Sequence, residues 1–486
     1  MRFNQLDDWL AWQQSLNPAE IDLGLARVEE VLKHLGRATS FPCPLVTVAG
    51  TNGKGSVVAM LESLATAAGL TVGSYTSPHL FEYNERIKLN RQPVDDAVLC
   101  EIFDSIDNAR GELPLTYFEF GTLAAIELFF RQPPDLVILE VGLGGRLDAV
   151  NIMDADVSVL TSVAIDHIDW LGDDRELIGF EKAGIFREGR PVICGDREPP
   201  ASVKAQAEKL HCPFLQIGVE YVVELDDKSD DPDGTQRRLW KLESKFGELT
   251  ALVEPNLVGE FQRTNAATAI VACQALIEEG RLASQSGRSL VDRDVINTAL
   301  QDIHLYGRYQ LIHQAPAVYV DVAHNLQAAQ ALSGQMQAAT RDLKQNRKGV
   351  TWAVVAMLAD KDISGVLDSV AEQVDHWCFA GLADVARGLS AEALFERLAE
   401  NNRFAGHELP DRLQGRLHRQ LPGQLPGQLH DELRLNQCTM LSENIMLAST
   451  VDEACKQVLS KADSDDRIIV FGSFYTVSQA MQYFQR

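Results

Sequence analysis

The chain has few features of a secreted or membrane protein. Its eight cysteines are scattered over 486 residues without a C-x-x-C pair, which is typical of reduced, mostly buried thiols rather than of a disulfide framework or a zinc site. The first residues, MRFNQLDDWLAWQQ, lack the basic and apolar regions of a signal peptide. No apolar run approaches the roughly eighteen residues that a membrane-spanning helix needs. We therefore expect a cytoplasmic protein with no membrane partner.

Positive charge is also scarce, since 44 Lys and Arg residues face 69 Asp and Glu residues and leave a net charge of −25. Such a field repels nucleic-acid phosphates and anionic lipid, so we expect no nucleic-acid partner. A small anionic ligand stays compatible with this charge, because backbone N–H groups of one loop can hold a phosphate locally. At about 150 residues per domain, the length predicts two or three domains of ordinary globular composition.

Short apolar runs alternate with helical patterns in the first half of the chain. PLVTVAG (44–50) predicts a buried strand and SVVAMLESLATAAG (56–69) predicts a helix. The same patterns predict strands over 71–77, 134–142, 155–163 and 190–195, and helices over 96–110, 119–131 and 175–187. Continuous apolar strands that alternate with helices indicate an α/β fold, with a mostly parallel sheet covered by helices on both faces.

The pattern changes after residue 218. A polar, turn-rich stretch over 219–254 predicts a small β-hairpin excursion, and a helix is predicted over 262–280. LYGRYQ (305–310) predicts a hinge, after which a second strand–helix series predicts a doubly wound, Rossmann-like domain. Its strands are expected at 317–323, 351–358, 376–380, 444–449 and 467–473. We therefore predict domains 1–306 and 307–486, with an insertion at about 400–440.

The segment VTVAGTNGKGS (46–56) carries the strongest chemical signal, since it reads as a strand, a glycine-rich turn and a helix. Such a turn points backbone N–H groups inward and places a phosphate at a positive helix end. Lys54 would add a point charge to the phosphates, and Ser56 would give an oxygen to Mg²⁺. The spacing is shorter than in a standard P-loop, and the alternative is a tight strand–helix turn. We favour nucleotide binding.

Three polar groups follow other predicted strands, where open α/β sheets bind ligands. Ser77 lies in SYTSPHL, Glu140 closes the strand before GLGG, and His167 lies in DHIDWLG. A Mg²⁺ bound by hydroxyl, carboxylate and imidazole groups would offset the free-energy cost of burying the Glu140 carboxylate. Taken alone, His167 reads as an ordinary loop histidine, and Lys182 reads as a surface lysine paired with Glu181.

Ten segments occur here in the order found in folylpolyglutamate synthases of the Mur ligase superfamily: AGTNGKGS, SPHL, LTYFEFGTLAA, LEVGLGGRLDAVN, DHIDWLG, EKAGIF, QRTNAATA, GRYQ, DVAHN and FGSFYTV. The chain resembles that family from about Ile21 to Tyr475, and most closely its bifunctional bacterial members, the dihydrofolate synthase/folylpolyglutamate synthases. The resemblance implies an N-terminal P-loop-type ligase domain, which binds ATP and the pterin, and a C-terminal Rossmann-like ligase domain.

The resemblance also implies a reaction. ATP phosphorylates the carboxylate of dihydropteroate or of a tetrahydrofolate and leaves as ADP. The amino group of L-glutamate then attacks the acyl phosphate, which forms the amide and releases phosphate. The implied partners are these small molecules, and the family leans toward monomers. Two Mg²⁺ ions are implied as cofactors.

The family motifs assign roles by position. The implied ATP contacts are Gly50, Thr51, Asn52, Gly53, Lys54, Gly55, Ser56, Asn265, Arg308 and Asp321. The implied metal ligands are Ser56, Ser77, Glu140, His167 and Lys182, the last as a carbamate. Lys54, Lys182 and His167 are the implied catalytic residues. The implied pterin contacts are Asp22, Leu23, Gly24, Thr116, Tyr117, Phe118, Glu119, Leu147, Asp148 and Ala149.

Other interpretations stay open at this point. His324 and Asn325 either line the nucleotide or glutamate site or cap a helix, and Lys361 resembles a family position with a weaker role. A monofunctional folylpolyglutamate synthase is the close alternative, although TYFE and IDLGL favour dihydropteroate binding. A ligase for a cell-wall precursor and a non-catalytic binding protein on a ligase fold are more remote.

Overall fold

The computed structural model describes residues 1–17, 19, 21–226, 238–282, 289–343, 349–385, 387–399, 438–442 and 444–485. They form two compact units. The first contains Met1–Ile165 and Trp170–Leu305, and the second contains Asp166–Asp169 and Tyr306–Arg486. Most of the insertion predicted at 400–440, and the polar tip of the predicted hairpin at 227–237, lie outside the described residues.

The first unit is built on an eight-stranded sheet. Its strands are β1 (Leu45–Ala49), β2 (Val72–Tyr75), β3 (Ile87–Leu89), β4 (Gln92–Pro93), β5 (Leu136–Glu140), β6 (Val157–Leu160), β7 (Val192–Cys194) and β8 (Phe214–Gln216). They lie in the order β4-β3-β2-β5-β1-β6-β7-β8. Neighbouring strands run parallel in the part β2-β5-β1-β6-β7-β8 of this order. Strands β3 and β4 add an antiparallel edge.

Both faces of this sheet are buried, as continuous apolar strands predict. Along β5, Val137 and Leu139 pack into one hydrophobic cluster, and Leu136 and Ile138 pack into the other. The helices up to residue 305 are α1 (Leu6–Leu16), α2 (Ala26–His34), α3 (Lys54–Ala67), α4 (Asp96–Arg110), α5 (Tyr117–Arg131), α6 (Ile168–Leu171), α7 (Arg175–Ala183), α8 (Ala201–Lys209), α9 (Phe261–Glu278) and α10 (Arg293–Gln301). Short 3-10 turns cover Tyr83–Arg86 and Ala149–Ile152.

The stretch predicted as a β-hairpin is a three-stranded antiparallel sheet. Its strands are β9 (Tyr221–Asp226), β10 (Leu239–Ser244) and β11 (Gly247–Val253), in the order β11-β10-β9. The third strand was missed because GELTALV is mostly exposed and buries little apart from Leu252. This small sheet therefore has one strand more than the predicted two-stranded hairpin.

The second unit has a seven-stranded sheet in the order β12-β13-β18-β14-β15-β17-β16. Its strands are β12 (Gln310–Gln314), β13 (Ala317–Asp321), β14 (Thr351–Val355), β15 (His376–Ala380), β16 (Cys438–Ser442), β17 (Ile445–Ala448) and β18 (Arg467–Phe471). The five central strands run parallel and the edge strands β12 and β16 antiparallel. The helices are α11 (Leu326–Leu343), α12 (Ile363–Val370), α13 (Ala391–Ala399), α14 (Val451–Lys461) and α15 (Phe474–Gln485), with a 3-10 turn at Ala371–Gln373.

The predicted α/β class, with mostly parallel sheets covered by helices, is confirmed. Helices α1, α2, α8 and α10 and the antiparallel edge strands fall where no element was predicted. Across the parts of the chain that the structure describes, no helix is long and apolar enough to cross a membrane.

Candidate active site

The glycine-rich turn after β1 is tied to the end of β6. Gly50 has φ +147°, and a Cβ there would lie 1.9 Å from Thr161 Oγ1, so a side chain does not fit. The Thr51 N–H donates to the Ser162 carbonyl at 2.7 Å, and the Asn52 N–H donates to Ser162 Oγ at 3.2 Å. These two N–H groups therefore hold the turn in place.

Helix α3 begins at Lys54, directly after Gly53, whose φ is +90°. The first N–H groups of an α-helix have no acceptor within the helix and favour a bound anion. Asn265 of α9 lies against this turn, since a Cβ on Gly53 would be 2.9 Å from its Oδ1. Asn265 Nδ2 donates to Gln262 Oε1 at 3.0 Å, which orients the amide. The structure thus brings Asn265 to the predicted ATP loop.

Lys54 and Lys182 meet at one oxygen atom of the turn. Lys54 Nζ donates to the carbonyl oxygens of Gly50 at 3.0 Å and Thr51 at 3.2 Å. Lys182 is buried near the end of α7, and its Nζ donates to the same Gly50 oxygen at 3.1 Å. Glu181, the partner expected for a surface lysine, pairs with Arg146 at 2.8 Å instead. Lys182 is therefore a residue of the site, and the surface interpretation is wrong.

Ser77 and Glu140 follow strands that adjoin β1. In the sheet register, Val48 pairs with Glu140, and Tyr75 of β2 pairs with Leu139. Because the carboxyl ends of parallel strands share one edge, Ser77 and Glu140 emerge beside the glycine-rich turn. The Ser77 N–H donates to Glu140 Oε2 at 3.3 Å, and Glu140 is buried. The sequence-based placement of these two residues at one sheet edge is in agreement with this geometry.

The donor set of this edge fits a hard divalent cation. Ser56 and Ser77 offer hydroxyl oxygens and Glu140 a carboxylate, which are oxygen ligands of the kind that Mg²⁺ prefers. Within the described ranges, no group of three or more His, Cys, Asp and Glu side chains forms a metal cluster by itself. A cation here would therefore depend on hydroxyl, carbamate and phosphate oxygens as well as on Glu140.

His167 belongs to the short segment that is part of the second unit. Its φ is +54°, and its N–H donates to Asp166 Oδ1 at 2.8 Å. Lys361 Nζ also donates to Asp166 Oδ1 at 2.6 Å, and Asn325 Nδ2 donates to Asp166 Oδ2 at 3.0 Å. Burial would raise the pKa of the Asp166 carboxyl, but His324, His167 and Lys361 hold this pKa well below its usual range.

These contacts change the interpretation of Lys361 and Asn325. Asn325 was expected at the nucleotide or glutamate site or at a helix cap, and Lys361 at a family position with a weaker role. The structure places both on the carboxylate that precedes His167. Asn325 serves also at the start of α11, where its Oδ1 accepts from the Ala328 N–H at 3.0 Å. The role common to them is to hold the Asp166–His167 backbone.

Asp321 fixes the GRYQ segment from the end of β13. Its Oδ2 accepts from the Tyr309 N–H and its Oδ1 accepts from the Ala323 N–H, both at 2.8 Å. Burial raises the pKa of Asp321, against the lowering effect of Arg308 and these N–H donors. The guanidinium of Arg308 lies 5.5 Å from the centre of the Phe474 ring. Arg308 and Asp321 are therefore neighbours, as two contacts to one nucleotide would require.

The predicted pterin segments come together in the first unit. Thr116 caps α5, its Oγ1 accepting from the Glu119 N–H at 3.2 Å, while Glu119 Oε2 accepts from the Thr116 N–H at 2.8 Å. The Gly24 N–H donates to the Leu147 carbonyl at 3.3 Å. Arg27 bridges Asp22 and Glu119. All three predicted segments are thus linked by hydrogen bonds or ion pairs.

Asp148 is buried and already bonded to backbone. Its Oδ2 accepts from the N–H groups of Gly142 at 3.0 Å and Leu143 at 2.8 Å, and its Oδ1 accepts from Val150 N–H at 3.0 Å. Burial raises the pKa of Asp148 to about 6, although these donors and Lys54 act to lower it. Asp148 therefore shapes the turn after Glu140, whatever further contact it makes, and its neighbour Ala149 is part of the core.

Tyr117 and Phe118 are half-buried on the first turn of α5. The Phe118 ring is so close to Gly142 that a Cβ there would be 2.7 Å from it. The Arg86 guanidinium lies 5.5 Å from the centre of the Tyr117 ring, and its Nε donates to His79 Nδ1 at 2.8 Å. Burial and the charge of Arg86 lower the pKa of His79 to about 4, which keeps its ring neutral. His79 therefore acts as a hydrogen-bond acceptor that orients the Arg86 guanidinium.

Two functional features were missed in the sequence. Ser162 holds the glycine-rich turn through its carbonyl and hydroxyl oxygens, and hydroxyl residues at the end of a predicted strand are a signal for such a role. Arg27 closes the segment IDLGLAR, and an arginine in the same predicted substrate segment as Asp22 was the available signal.

Comparison with known proteins agrees with this architecture. Residues 48–273 match the family model "Mur ligase middle domain", and residues 307–416 match "Mur ligase, glutamate ligase domain". The dihydrofolate synthase/folylpolyglutamate synthase of Escherichia coli K12 is 37% identical over 478 residues, which are 98% of this chain and 95% of the relative.

Solved structures give the same result. E. coli FolC in complex with DHPP and ADP superimposes with a TM-score of 0.79 at 36% identity, covering 99% of this chain and 98% of that one. The bifunctional enzyme of Yersinia pestis, complexed with AMPPNP and a Mn ion, gives a TM-score of 0.78 at 36% identity, covering 99% and 98%.

The fold and the site therefore define an ATP-dependent ligase of the Mur type. Within that class, the chain belongs to the dihydrofolate synthase/folylpolyglutamate synthase family.

Proposed function

We propose that this protein ligates L-glutamate to dihydropteroate, and to tetrahydrofolates, at the expense of ATP and through an acyl phosphate. The observation that carries the proposal is the meeting of Lys54 and Lys182 at the Gly50 carbonyl, beside Glu140 at the sheet edge. This arrangement concentrates positive charge at a helix N-terminus, where phosphate binds. The full-length similarity to bifunctional relatives favours both substrates.

The chain supplies positioning and charge for phosphoryl transfer, which needs little covalent chemistry from a protein. Lys54 and the first turn of α3 hold the phosphates of ATP, and Asn265 contacts the nucleotide from α9. Arg308 and Asp321 are assigned to the same nucleotide. Lys54 then stabilises the charge that develops on the transferred group.

The metal ligands assigned to the site are Ser56, Ser77, Glu140, His167 and carbamylated Lys182. A bound Mg²⁺ supplies neutralisation of phosphate charge during transfer. The chain's part is to orient Glu140, which the Ser77 N–H does by donating to its Oε2. A carbamate on Lys182 would replace a positive charge by a negative one at a site built for cations.

The folate side is assigned to the three linked segments that contain Asp22, Thr116 and Leu147. Asp148 and Glu119 support this side through backbone hydrogen bonds. The two activities need the same ATP machinery and differ only in the folate that these segments accept.

ADP release measured with dihydropteroate, and separately with tetrahydrofolate, each with L-glutamate and Mg²⁺, tests the proposal. We expect release with both folates and none without L-glutamate. Release with tetrahydrofolate alone would make the protein a monofunctional folylpolyglutamate synthase, and release with neither would overturn the proposal.

We further infer that the enzyme acts as a cytoplasmic monomer. The seven cysteines whose side chains the structure describes are all free thiols, and five of them are buried. Such thiols suit a reducing compartment. Light scattering on the purified protein tests the monomer directly, and a dimer mass would contradict it.

A further inference from the structure

Arg27, in the first turn of α2, connects two of the three segments assigned to the folate. Its Nη1 lies 2.8 Å from Asp22 Oδ2, and its Nη2 donates to the Asp22 carbonyl at 2.6 Å. On its other side, Nε donates to Glu119 Oε1 at 3.1 Å and Oε2 at 3.2 Å. One guanidinium therefore binds a carboxylate on each side and a backbone oxygen.

The burial of the three side chains is graded. Glu119 is 4% exposed, Arg27 is 23% exposed and Asp22 is 40% exposed. Arg27 is therefore anchored on a buried carboxylate and reaches outward to a half-exposed one. Since Glu119 is itself held by the Thr116 N–H, the anchor is the rigid start of α5.

The charges at this point matter for an anionic substrate. Asp22 and Glu119 would together place two negative charges beside dihydropteroate, whose carboxylate is negative. The guanidinium offsets one of these charges and engages both carboxylates. Lysine offers no planar fork of donors, so it would not bind the two carboxylates and the Asp22 carbonyl in this way.

We propose that Arg27 is a positioning residue for the folate substrate, because it holds the Asp22–Gly24 segment against the start of α5. This inference rests on the proposed function. With the segment held in place, the Gly24 N–H reaches the Leu147 carbonyl, and the third segment joins the other two. A site held in its binding conformation before the ligand arrives loses less entropy on binding.

The chain contains a matched control. Arg37, just beyond α2, pairs with Glu127 of α5 through Nε–Oε2 and Nη2–Oε1 contacts of 2.8 and 3.1 Å. Glu127 is also 4% exposed, and Arg37 is 29% exposed. This pair joins the same two parts of the chain, but it lies two helical turns beyond Glu119 and is bonded to none of the three segments.

Steady-state ADP release with varied dihydropteroate tests the inference in Arg27→Met and Arg37→Met. We expect Arg27→Met to raise KM for dihydropteroate at least tenfold, with KM for ATP within twofold of the wild type. Arg37→Met should lose a similar number of degrees in Tm and leave KM for dihydropteroate within twofold. Equal KM values for the two variants would overturn the inference, because both changes would then be merely structural.

Three further variants guard against misfolding: Arg27→Lys, Asp22→Asn and the double variant of Arg27→Met with Asp22→Asn. Arg27→Lys keeps the charge and should show an intermediate KM. Because Arg27 is inferred to act through Asp22, the effects of Arg27→Met and Asp22→Asn on KM should not add in the double variant, and additive effects would contradict the inference. A wild-type protein that releases no ADP with either folate would overturn the proposed function itself, and this inference with it.

Discussion

Lys54 and Lys182 donate to the same acceptor, the carbonyl oxygen of Gly50, at 3.0 and 3.1 Å. Two ammonium groups that share one oxygen repel each other, since like charges at close range have an unfavourable Coulomb energy. Negative charge nearby would offset this repulsion. Phosphate at Lys54 and a carbamate at Lys182 would each supply it.

Lys54→Ala should reduce ADP release by at least about 100-fold, because a preorganised charge at the transferred group is lost. The fold should persist, because the bonds of Lys54 to the Gly50 and Thr51 carbonyl oxygens stay within one turn. Lys204→Ala, an exposed lysine on α8, is the control and should retain wild-type activity. The measurement is ADP release with saturating substrates, together with Tm. A Lys54→Ala variant that turns over ATP at the wild-type rate contradicts the assignment.

Lys182→Ala should also lose most activity, and added acetate should restore part of it. The reason is that a small carboxylate can enter the space left by the side chain and replace a carbamate. Chloride at the same ionic strength is the control for salt effects. ADP release is the readout, and full activity of Lys182→Ala without acetate would show that no carbamate is needed.

Gly50→Ala should lower Tm by a few degrees and weaken ATP binding at least tenfold. The new Cβ would clash with Thr161 Oγ1 in a backbone conformation with φ +147°, so the turn must move. Gly334→Ala is the control, because it lies in helix α11 and a Cβ there meets no described atom within 4 Å outside the backbone of its own helix. Calorimetric titration with AMPPNP checks the affinity, and unchanged binding in Gly50→Ala would contradict the role of this turn.

The strand–helix alternation was sufficient to predict the central strands, because buried parallel strands are continuous apolar runs. Edge strands do not have this property. Strand β12, QLIHQ, is polar and half-exposed, and β4 is only Gln92–Pro93. Helix α2 buries just Val28, Val31 and Leu32 of its nine residues, so its apolar periodicity is too sparse to identify it.

The site shows the same limit in a different form. The glycine-rich turn is local, and its residues were predicted from spacing. The contact of Lys182 with Gly50 joins residues 132 positions apart, and no local pattern distinguishes it from a surface lysine. Only the family resemblance pointed to Lys182, whereas Arg27 lay within a matched segment and was still missed. Asp148 was predicted as a pterin contact, but its bonds to three backbone N–H groups follow from the fold of the turn.

Asp148 should make stability depend on pH in a definite direction. Burial raises its pKa from 3.8 to about 6, so between these values the folded state binds more protons than the unfolded state. Its contribution to the free energy of unfolding is therefore greatest at low pH and falls as pH rises through 6. Asp148→Asn cannot titrate, and its loss of one acceptor is independent of pH. We subtract the Tm of Asp148→Asn from the Tm of the wild type at each pH. This difference should be about 2 °C larger at pH 5 than at pH 7.5, which corresponds to roughly 1 kcal/mol in the free energy of unfolding. A Tm difference that is constant across this range would show that Asp148 is ionised in the folded protein at both pH values.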